Sequence, residues 1–297
     1  MAVISGVYGT AKVDTGVVST VTNWTLDNNI NINSYNASNT RGYSGKIPGI
    51  RSCSGSFTGL GGMPPVKPGQ RFSFTGYTGP QNGILGNLVG NTYSIKAIVN
   101  NITINWNYGD YSPINWQVQW MSDYQEAGDE LIPGNTGFLD TSLPPVDTMV
   151  PSGDCTLVVG SLTGVCLESA TLTFATNVQQ FGNSCGKGWQ SGIAGATSVT
   201  LSSKCDASGF DVFATDHLPG RNENVKIYVE GGTGTCTTKK CWEFEKMIIG
   251  SLSGLNVDIA GGGLVNFDVN MEFNAFPDGQ RGYIKFDNTE FWSAAAA

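Results

Sequence analysis

The chain has 297 residues, among them 40 glycines and 12 prolines, with 13% charged residues and a formal net charge of −8. It contains no run of about 18 apolar residues, which excludes a transmembrane helix. The N-terminus MAVISGVYGT lacks the basic start and apolar core of a signal peptide. We therefore expect a soluble protein made in a cytoplasm, with no membrane partner and with room for two domains.

The distribution of glycine and proline favours an all-β fold, because these residues separate short runs in which apolar and polar residues alternate. The charged fraction is about half of that in an ordinary globular protein. We interpret the low charge as a sign that other subunits cover much of the surface. An extracellular or virion protein coated in Asn, Ser and Thr fits the composition equally well.

The first half of the chain predicts a hairpin over Val3–Val21, with its turn at Asp14, and then a polar loop over residues 31–41. Strands are predicted from period-two alternation at Asn23–Ile30, Ile50–Leu60, Phe72–Tyr77, Tyr93–Asn107 and Pro113–Met121. The tryptophans of the last two strands (Trp106, Trp116 and Trp120) are interpreted as core anchors rather than a platform for a ligand.

Residues 123–154 predict a linker, because they are rich in proline and show no periodicity. They hold seven acids and no bases, whereas residues 1–122 carry a net charge of +4 and residues 155–297 a net charge of −5. We therefore predict two domains, 1–122 and 155–297. We place the linker outside or between them, where its acids contribute solubility.

The second half predicts the same succession of elements. A hairpin is predicted at Thr156–Val165, and a tail strand at Tyr283–Trp292. Between them, strands are predicted at Glu168–Asn177, Thr197–Ser203, Val225–Val229, Glu243–Val257 and Val265–Phe273. Residues 177–188 predict a second loop, and Asp206–His217 a short helix weakened by its glycine.

An internal repeat underlies this similarity. The segment Asn23–Gly59 aligns with Ser169–Leu201 at a constant offset of 146 residues, and the run Ile114–Val118 aligns with Val265–Val269 at an offset of 151. Few identities are retained, but their order and the alternation are. We interpret the chain as two copies of one β-domain produced by gene duplication.

Seven cysteines allow two interpretations. Their spacing contains no CxxC pair, which disfavours a zinc site. Cys155 and Cys166 flank a predicted hairpin, and Cys236 and Cys241 bracket the sequence TTKK, so each pair is a candidate disulfide. The alternative is that the cysteines are free, half-buried thiols that pack as small apolar residues.

Catalytic chemistry is not predicted. His217 is the only histidine, which removes Ser-His-Asp, Cys-His and histidine-rich metal sites together. No glycine-rich phosphate loop follows a strand and opens a helix. We therefore predict no catalytic residue, no cofactor and no metal, and we do not expect an enzyme.

Several motifs of the first half resemble the tail-tube proteins of tailed bacteriophages. Val21–Leu26 gives a strand with Trp-Thr-Leu, and Gly49–Gly59 gives the pattern Gly-x-x-Ser-x-Ser-Gly-Ser-Phe-Thr-Gly. Tyr93–Ile104 and Ser112–Met121 resemble the closing strands of the same family. The resemblance covers nearly all of residues 1–122 and, more weakly, residues 155–275.

The resemblance implies a β-sandwich in each half, with inner strands that join those of neighbours into a β-barrel around a DNA channel. Six such domains make a ring in that family, so a chain with two copies implies a ring of three chains. The expected partners are further copies, other phage tail proteins, and DNA that passes without specific binding. The expected location is the virion, after assembly in the host cytoplasm.

Two properties of the predicted domains agree with a ring. Closing the sheets edge to edge removes exposed strand edges, and the opposite charges of the halves fit head-to-tail contact. Because a basic wall would retain DNA, we expect the channel to be lined by Asn, Gln, Ser, Thr and a few acids.

In the resembled family a long loop reaches the adjacent ring. We expect the two polar loops, over residues 31–46 and 177–191, to dock in this way. The residues assigned to this contact are Asn39, Arg41, Tyr43, Lys46, Asn183, Lys187 and Trp189.

Other functions remain open at this stage. A capsid cement protein, a tail-completion protein or a baseplate component shares the composition. A secreted glycan-binding module that uses exposed Trp and Tyr is a further alternative. A hydrolase is more distant, since no acid–base pair can be named.

Overall fold

The fold is all-β, as the sequence predicts. A computed structural model describes residues 9–18, 20–37, 41–61, 63–78, 92–107, 113–123, 156–165, 167–182, 188–206, 219–228, 241–256, 266–275 and 281–293. These ranges contain sixteen β-strands and no helix. All sixteen belong to one antiparallel sheet, which is not closed into a barrel within the chain.

The first half contains seven strands. They are β1 (Thr10–Val13), β2 (Gly16–Val17), β3 (Val21–Tyr35), β4 (Gly45–Leu60), β5 (Arg71–Tyr77), β6 (Thr92–Asn107) and β7 (Asn115–Ser122). The second half contains nine. They are β8 (Thr156–Val159), β9 (Leu162–Val165), β10 (Leu167–Gly182), β11 (Gln190–Asp206), β12 (Asn222–Tyr228), β13 (Cys241–Asn256), β14 (Asn266–Phe273), β15 (Tyr283–Phe286) and β16 (Thr289–Ser293).

The predicted polar loops are wrong over much of their length. Residues 31–35 continue β3 and residues 177–182 continue β10, so each loop is replaced by the far end of a long hairpin. The alternation Asn29-Ile30-Asn31-Ile32-Asn33 is typical of a strand, and its high asparagine content concealed it.

The predicted tail strand is also wrong in part, because Tyr283–Trp292 folds as the hairpin β15–β16. Asp287 and Asn288 have φ angles of 50° and 59°. Positive φ at both central residues is the requirement of a tight two-residue turn, and Asp and Asn tolerate it. The predicted helix at Asp206–His217 lies outside the described residues from position 207 onward.

The same six strand pairings recur in the two halves. The first half pairs β1 with β2 and β5, β4 with β3 and β7, and β6 with β5 and β7. The second half pairs β8 with β9 and β12, β11 with β10 and β14, and β13 with β12 and β14. Only β15 and β16 lack counterparts among the described strands.

Each half folds its part of the sheet over an aromatic core. In the first half, Phe57 of β4 stacks on Phe74 of β5 at 5.6 Å between ring centroids, although β4 and β5 are not paired. In the second half, Trp242 of β13 lies 6.1 Å from Phe174 of β10 and 5.0 Å from Phe291 of β16. Such contacts across the fold give each half a sandwich-like character.

The predicted core anchors are confirmed, since Trp106, Trp116 and Trp120 are each 1% exposed. Two glycines of β4 make room for their rings. A Cβ atom at Gly55 would overlap the ring of Trp120, and one at Gly59 would overlap the ring of Trp116. The small residues of β4 therefore serve the packing of large rings on the core side of the sheet.

The two halves are joined directly. Strand β6 of the first half pairs with β10 of the second half, so one sheet runs through both. Most of the buried apolar residues of both halves belong to one continuous cluster. The predicted boundaries 1–122, 123–154 and 155–297 stay predictions, because residues 124–155 lie outside the described ranges.

Candidate assembly surfaces

An eight-stranded layer, which we call the platform, runs across both halves in the order β3-β4-β7-β6-β10-β11-β14-β13. Residues directly opposite each other in neighbouring strands point to the same face, and successive residues alternate between faces. The register therefore assigns one face of the platform to the core. The other face can be listed from the same pairings.

This second face, the polar face, consists mostly of uncharged polar residues. Its members in the first half are Asn23, Thr25, Asp27, Asn29, Ser54, Ser56, Thr58, Asn115, Gln117, Gln119, Asn101, Thr103, Asn105 and Asn107. Its members in the second half are Ser169, Thr171, Thr173, Ser198, Thr200, Ser202, Lys204, Asp268, Asn270, Glu272, Ser251 and Ser253. The same pairings add Ser52, Asp206 and Asn266 to this face, together with the apolar residues Leu60, Ile98, Met121, Ala175 and Ile248.

Side-chain hydrogen bonds connect neighbouring strands on the polar face. Thr171 of β10 donates to Asn105 Oδ1 of β6 at 3.1 Å, and Asn105 Nδ2 donates to Asn115 Oδ1 of β7 at 3.1 Å. The first link crosses from one half to the other. The face is therefore neutral over most of its extent and partly held in place by its own contacts.

The contact between β6 and β10, which we call the internal joint, pairs seven residues of each strand, from Asn101 opposite Ala175 to Asn107 opposite Ser169. On its core side, Ile102 lies opposite Phe174 and Ile104 opposite Leu172, all fully buried. The joint thus combines a backbone ladder with apolar burial, which makes it part of the common core.

A polar clamp lies beside the internal joint. Asp123 is only 8% exposed. Its carboxylate forms an ion pair with Arg71 Nε at 3.1 Å and accepts a hydrogen bond from the Gly192 amide at 3.3 Å. Arg71 Nη2 in turn donates to the Gly192 carbonyl at 3.0 Å. Asp123 was predicted as the first acid of the solubilising linker, but its carboxylate ties β5 and β7 of the first half to β11 of the second.

The platform has two unpaired edges among the described residues. Strand β3 pairs only with β4, so its other edge is open. Strand β13 pairs with β12 as far as Ile248, and beyond Ile249 that edge meets no other described strand. A cavity of about 320 Å³ adjoins the open edge of β3, beside Asn23 and Trp24. Natural sheets seldom leave long edges uncovered, because free N–H and C=O groups attract other strands.

Two hairpin ends project from the platform. The first arm comprises residues 30–35 and 45–50, and the second arm residues 177–182 and 190–195. The first arm exposes large apolar side chains, which are Ile30, Ile32, Tyr35, Ile47 and Ile50, with Tyr43 in the turn region. The second arm exposes Phe181 and Ile193. Exposed apolar clusters of this kind are typical of contact surfaces.

The two arms touch each other. The Arg51 amide donates to the Gly188 carbonyl at 2.6 Å, and Arg51 forms an isolated bridge with Trp189. The guanidinium carbon of Arg51 lies 6.0 Å from the ring centroid of Trp189, within the range of a cation–π contact. The side chain of Ile50 fills the space above Gly182.

The residues predicted to make the inter-ring contact differ in their exposure to solvent. Arg41 and Tyr43 are exposed, Tyr43 at 80%, and Lys46 Nζ donates to Ser34 Oγ at 2.6 Å on the first arm. Trp189 is 3% exposed beneath Arg51, so its ring is covered within the chain. The others (Asn39, Asn183 and Lys187) lie outside the described residues.

The cysteine pairing stays a prediction. Cys241 is disulfide-bonded, while Cys155, Cys166 and Cys236 lie outside the described residues. Cys53 is a free, buried thiol, and Cys205 is also buried. Burial, together with the nearby Asp27 carboxylate, raises the pKa of the Cys53 thiol to about 12. Cys53 therefore behaves as a small apolar residue of the core.

In the part of the chain that the structure describes, no group of three or more His, Cys, Asp or Glu side chains is arranged to hold a metal ion. In the same ranges, no helix has the length and hydropathy needed to cross a membrane. Neither a family model nor a curated protein matches the sequence.

Proposed function

We propose that the chain is a structural virion protein, the tube protein of a phage tail, which assembles head to tail into rings of three chains around a channel for DNA. The observation that carries the proposal is the platform, because it is neutral and polar on one face, continuous through two similar halves, and open at both ends. The motif resemblance of the first half to tail-tube proteins points to the same role.

The strand count is compatible with a closed ring. Each half contributes four platform strands, so three chains would supply 24 strands to one closed barrel. With strands about 4.8 Å apart and tilted by about 40°, such a barrel would be about 48 Å across at the backbone. Inward side chains would leave about 35–40 Å of free width, which admits a DNA duplex.

The duplication proposed from the sequence has support in the register. The pairs Trp24–Phe57 and Leu26–Gly55 in the first half stand at the positions of Ala170–Ser203 and Leu172–Leu201 in the second, all at an offset of 146. The register shifts between β3 and β4 recur at this offset between β10 and β11. Two halves of one ancestry would occupy equivalent positions in a ring, which gives three chains a six-fold appearance.

The polar face has the chemistry expected of a channel wall. Its charged members are Asp27, Lys204, Asp206, Asp268 and Glu272, so it offers no basic stripe to DNA. A protein that neutralises phosphates binds DNA by releasing counterions, and each such contact slows passage. A wall of amides and hydroxyls avoids this retention. On this proposal DNA passes along the face without specific binding.

The arms would connect successive rings. They extend beyond the aromatic cores, and the first arm exposes isoleucine and tyrosine side chains that a single chain leaves uncovered. Contact with the next ring would bury these side chains, at about 25 cal/mol per Å² of apolar area. A stack of rings held in this way makes a tube, while a chain without such arms would stop at single rings.

The alternatives receive less support. A cement, tail-completion or baseplate protein has no need of a closed polar wall with repeated halves. A glycan-binding module would present tryptophan rings, yet five of the seven tryptophans are buried and the other two, Trp24 and Trp292, are half-buried.

Negative-stain electron microscopy of the purified protein at increasing concentration tests the proposal. We expect annular particles with a central channel, and then hollow tubes of uniform width. A stable monomer at high concentration, or compact particles without a channel, would overturn it.

A further inference from the structure

The two open edges of the platform are counterparts of the two strands in the internal joint. Strand β10, which receives β6, corresponds to β3, and strand β6 corresponds to β13 by its place in the repeated pairings. The internal joint therefore shows how the edge strand of one half pairs with the edge strand of the next. The same pairing between two chains requires a defined register on β3 and on β13.

The register on β3 is fixed by the offset of 146. It places residues 169–175 of β10, which enter the internal joint, at residues 23–29 of β3. Every pairing of β3 with β4 between Val21 and Tyr35 has its counterpart between β10 and β11 at this offset. The correspondence therefore contains no ambiguous position along the edge.

The register on β13 is fixed by a shared irregularity. The ladder between β6 and β7 shifts between Val99 and Asn101, and the ladder between β13 and β14 shifts between Ile249 and Ser251, an offset of 150. Adjacent backbone bonds agree with it. The Gly69 amide donates to the Val99 carbonyl at 3.2 Å, and the Gly220 amide donates to the Ile249 carbonyl at 2.7 Å. Residues 101–103 of the internal joint thus correspond to residues 251–253.

We propose that β13 of one chain pairs antiparallel with β3 of a second copy, with Ser251 opposite Asn29, Leu252 opposite Asn28 and Ser253 opposite Asp27. This inter-chain joint rests on the ring proposed above and specifies its contact. Asn29, Ser251, Asp27 and Ser253 continue the polar face from one chain to the next. The joint also covers both open edges of the platform, which neither half can do alone.

The inter-chain joint differs from the internal joint in strength. On the core side, Asn28 stands where the internal joint has the buried Phe174, and Leu252 stands where it has Ile102. Less apolar surface is buried as a result. The internal joint therefore belongs to the fold of each chain, while the inter-chain joint forms afterwards between folded chains.

The polar clamp beside the internal joint also has a weaker counterpart beside the inter-chain joint. Asp123 and Arg71 correspond to Asn274 and Asn222, which are linked by a hydrogen bond of 3.1 Å from Asn274 Nδ2 to Asn222 Oδ1. The Asp123 and Asn274 amides donate to equivalent carbonyls, at 3.0 and 3.1 Å. A charged pair beside the internal joint is thus replaced by a neutral pair beside the inter-chain joint. Ring assembly should accordingly depend weakly on salt.

Disulfide trapping in the full chain tests the register. The variant carrying Asn29→Cys and Ser251→Cys should oxidise to a covalently closed ring of three chains, with one disulfide at each of its three joints. Opposite residues of paired strands lie within disulfide reach. The control carrying Thr25→Cys and Ser251→Cys is displaced by four residues, about 13 Å, and should give no more cross-linking than the unaltered chain. An internal control, Asn101→Cys with Ala175→Cys, should cross-link within one chain.

A charge experiment provides an independent check. The melting temperature of each variant is measured beside it, because Ser253 also lies opposite Asp268 of its own chain. Ser253→Glu would face Asp27 of the neighbour and should raise the concentration for half-assembly about fivefold per joint, while Ser253→Lys should not. Rings that form without the Asn29–Ser251 cross-link, and with equal response to both charges, would refute this joint and leave the ring intact. Absence of any oligomer in the unaltered protein would refute the ring and the joint together.

Discussion

The clamp around Asp123 gives the sharpest test of how the two halves are held together. Asp123→Ala removes the acceptor of the Gly192 amide and the ion-pair partner of Arg71. The first contact joins the two halves, and the second joins the end of β7 to β5 within the first half. Leaving a buried amide without its charged acceptor costs about 1.5–3 kcal/mol. The ion pair adds less, about 0–1 kcal/mol, because the Arg71 side chain is 62% exposed. We therefore expect a loss of about 2–3 kcal/mol.

The isosteric variant separates the two contributions. Asp123→Asn keeps an oxygen for the Gly192 amide and loses only the charge, so its loss should be about 1 kcal/mol or less. Lys204→Ala serves as the control, because its ion pair with Glu168 is exposed on both sides and contributes about 0–1 kcal/mol.

Thermal unfolding followed by circular dichroism, at one fixed protein concentration, measures these effects. About 2–4 °C of Tm accompanies each kcal/mol in proteins of comparable size, so Asp123→Ala should lower Tm by roughly 4–12 °C. The asparagine variant should melt close to the lysine control and well above Asp123→Ala. If Asp123→Ala melts within a degree of Lys204→Ala, the clamp does not hold the halves together and the reasoning fails.

Three further results are expected. Gly55→Val should lower the free energy of unfolding by more than about 3 kcal/mol, because the side chain overpacks against the overlying tryptophan ring. The exposed Gly16→Ala should be nearly neutral in the same thermal unfolding experiment. Equal Tm values would contradict the close packing. Ile32→Asp on the first arm should leave the melting curve intact and abolish tubes but not rings in electron micrographs, with Asn33→Asp as the matched control; normal tubes would contradict the role of the arm. Cys53, whose pKa is about 12, should resist alkylation in the folded protein at pH 8 and react after unfolding, as peptide mass mapping can show; rapid labelling of the folded chain would be inconsistent with its burial.

The sequence predicted the fold class and most strands because their signals are local. Alternation over Pro113–Met121 needs only a period of two, and the structure confirms β7 with Trp116, Val118 and Trp120 buried. The hairpin ends were missed because the Asn and Gln residues that alternate with apolar residues in the arms imitate a loop. There, the strand is maintained by its partner across the hairpin rather than by burial.

The candidate surfaces could be predicted only in composition. The sequence predicted a wall of amides, hydroxyls and a few acids, but the membership of the polar face depends on which strands are neighbours. The pairing of β6 with β10 joins residues more than sixty positions apart, and no local pattern encodes it. Likewise, Asp123 is indistinguishable from the other acids after it until Arg71 and Gly192 are brought to it.

The mass of the assembled ring is the most direct test of head-to-tail closure. Native mass spectrometry of annular particles isolated before tubes form counts the chains, each of 31.4 kDa, without assuming a symmetry. Three chains per ring are expected, because eight platform strands in each would complete a 24-stranded wall. A ring of six chains, or an open series of increasing size with no preferred closure, would contradict it.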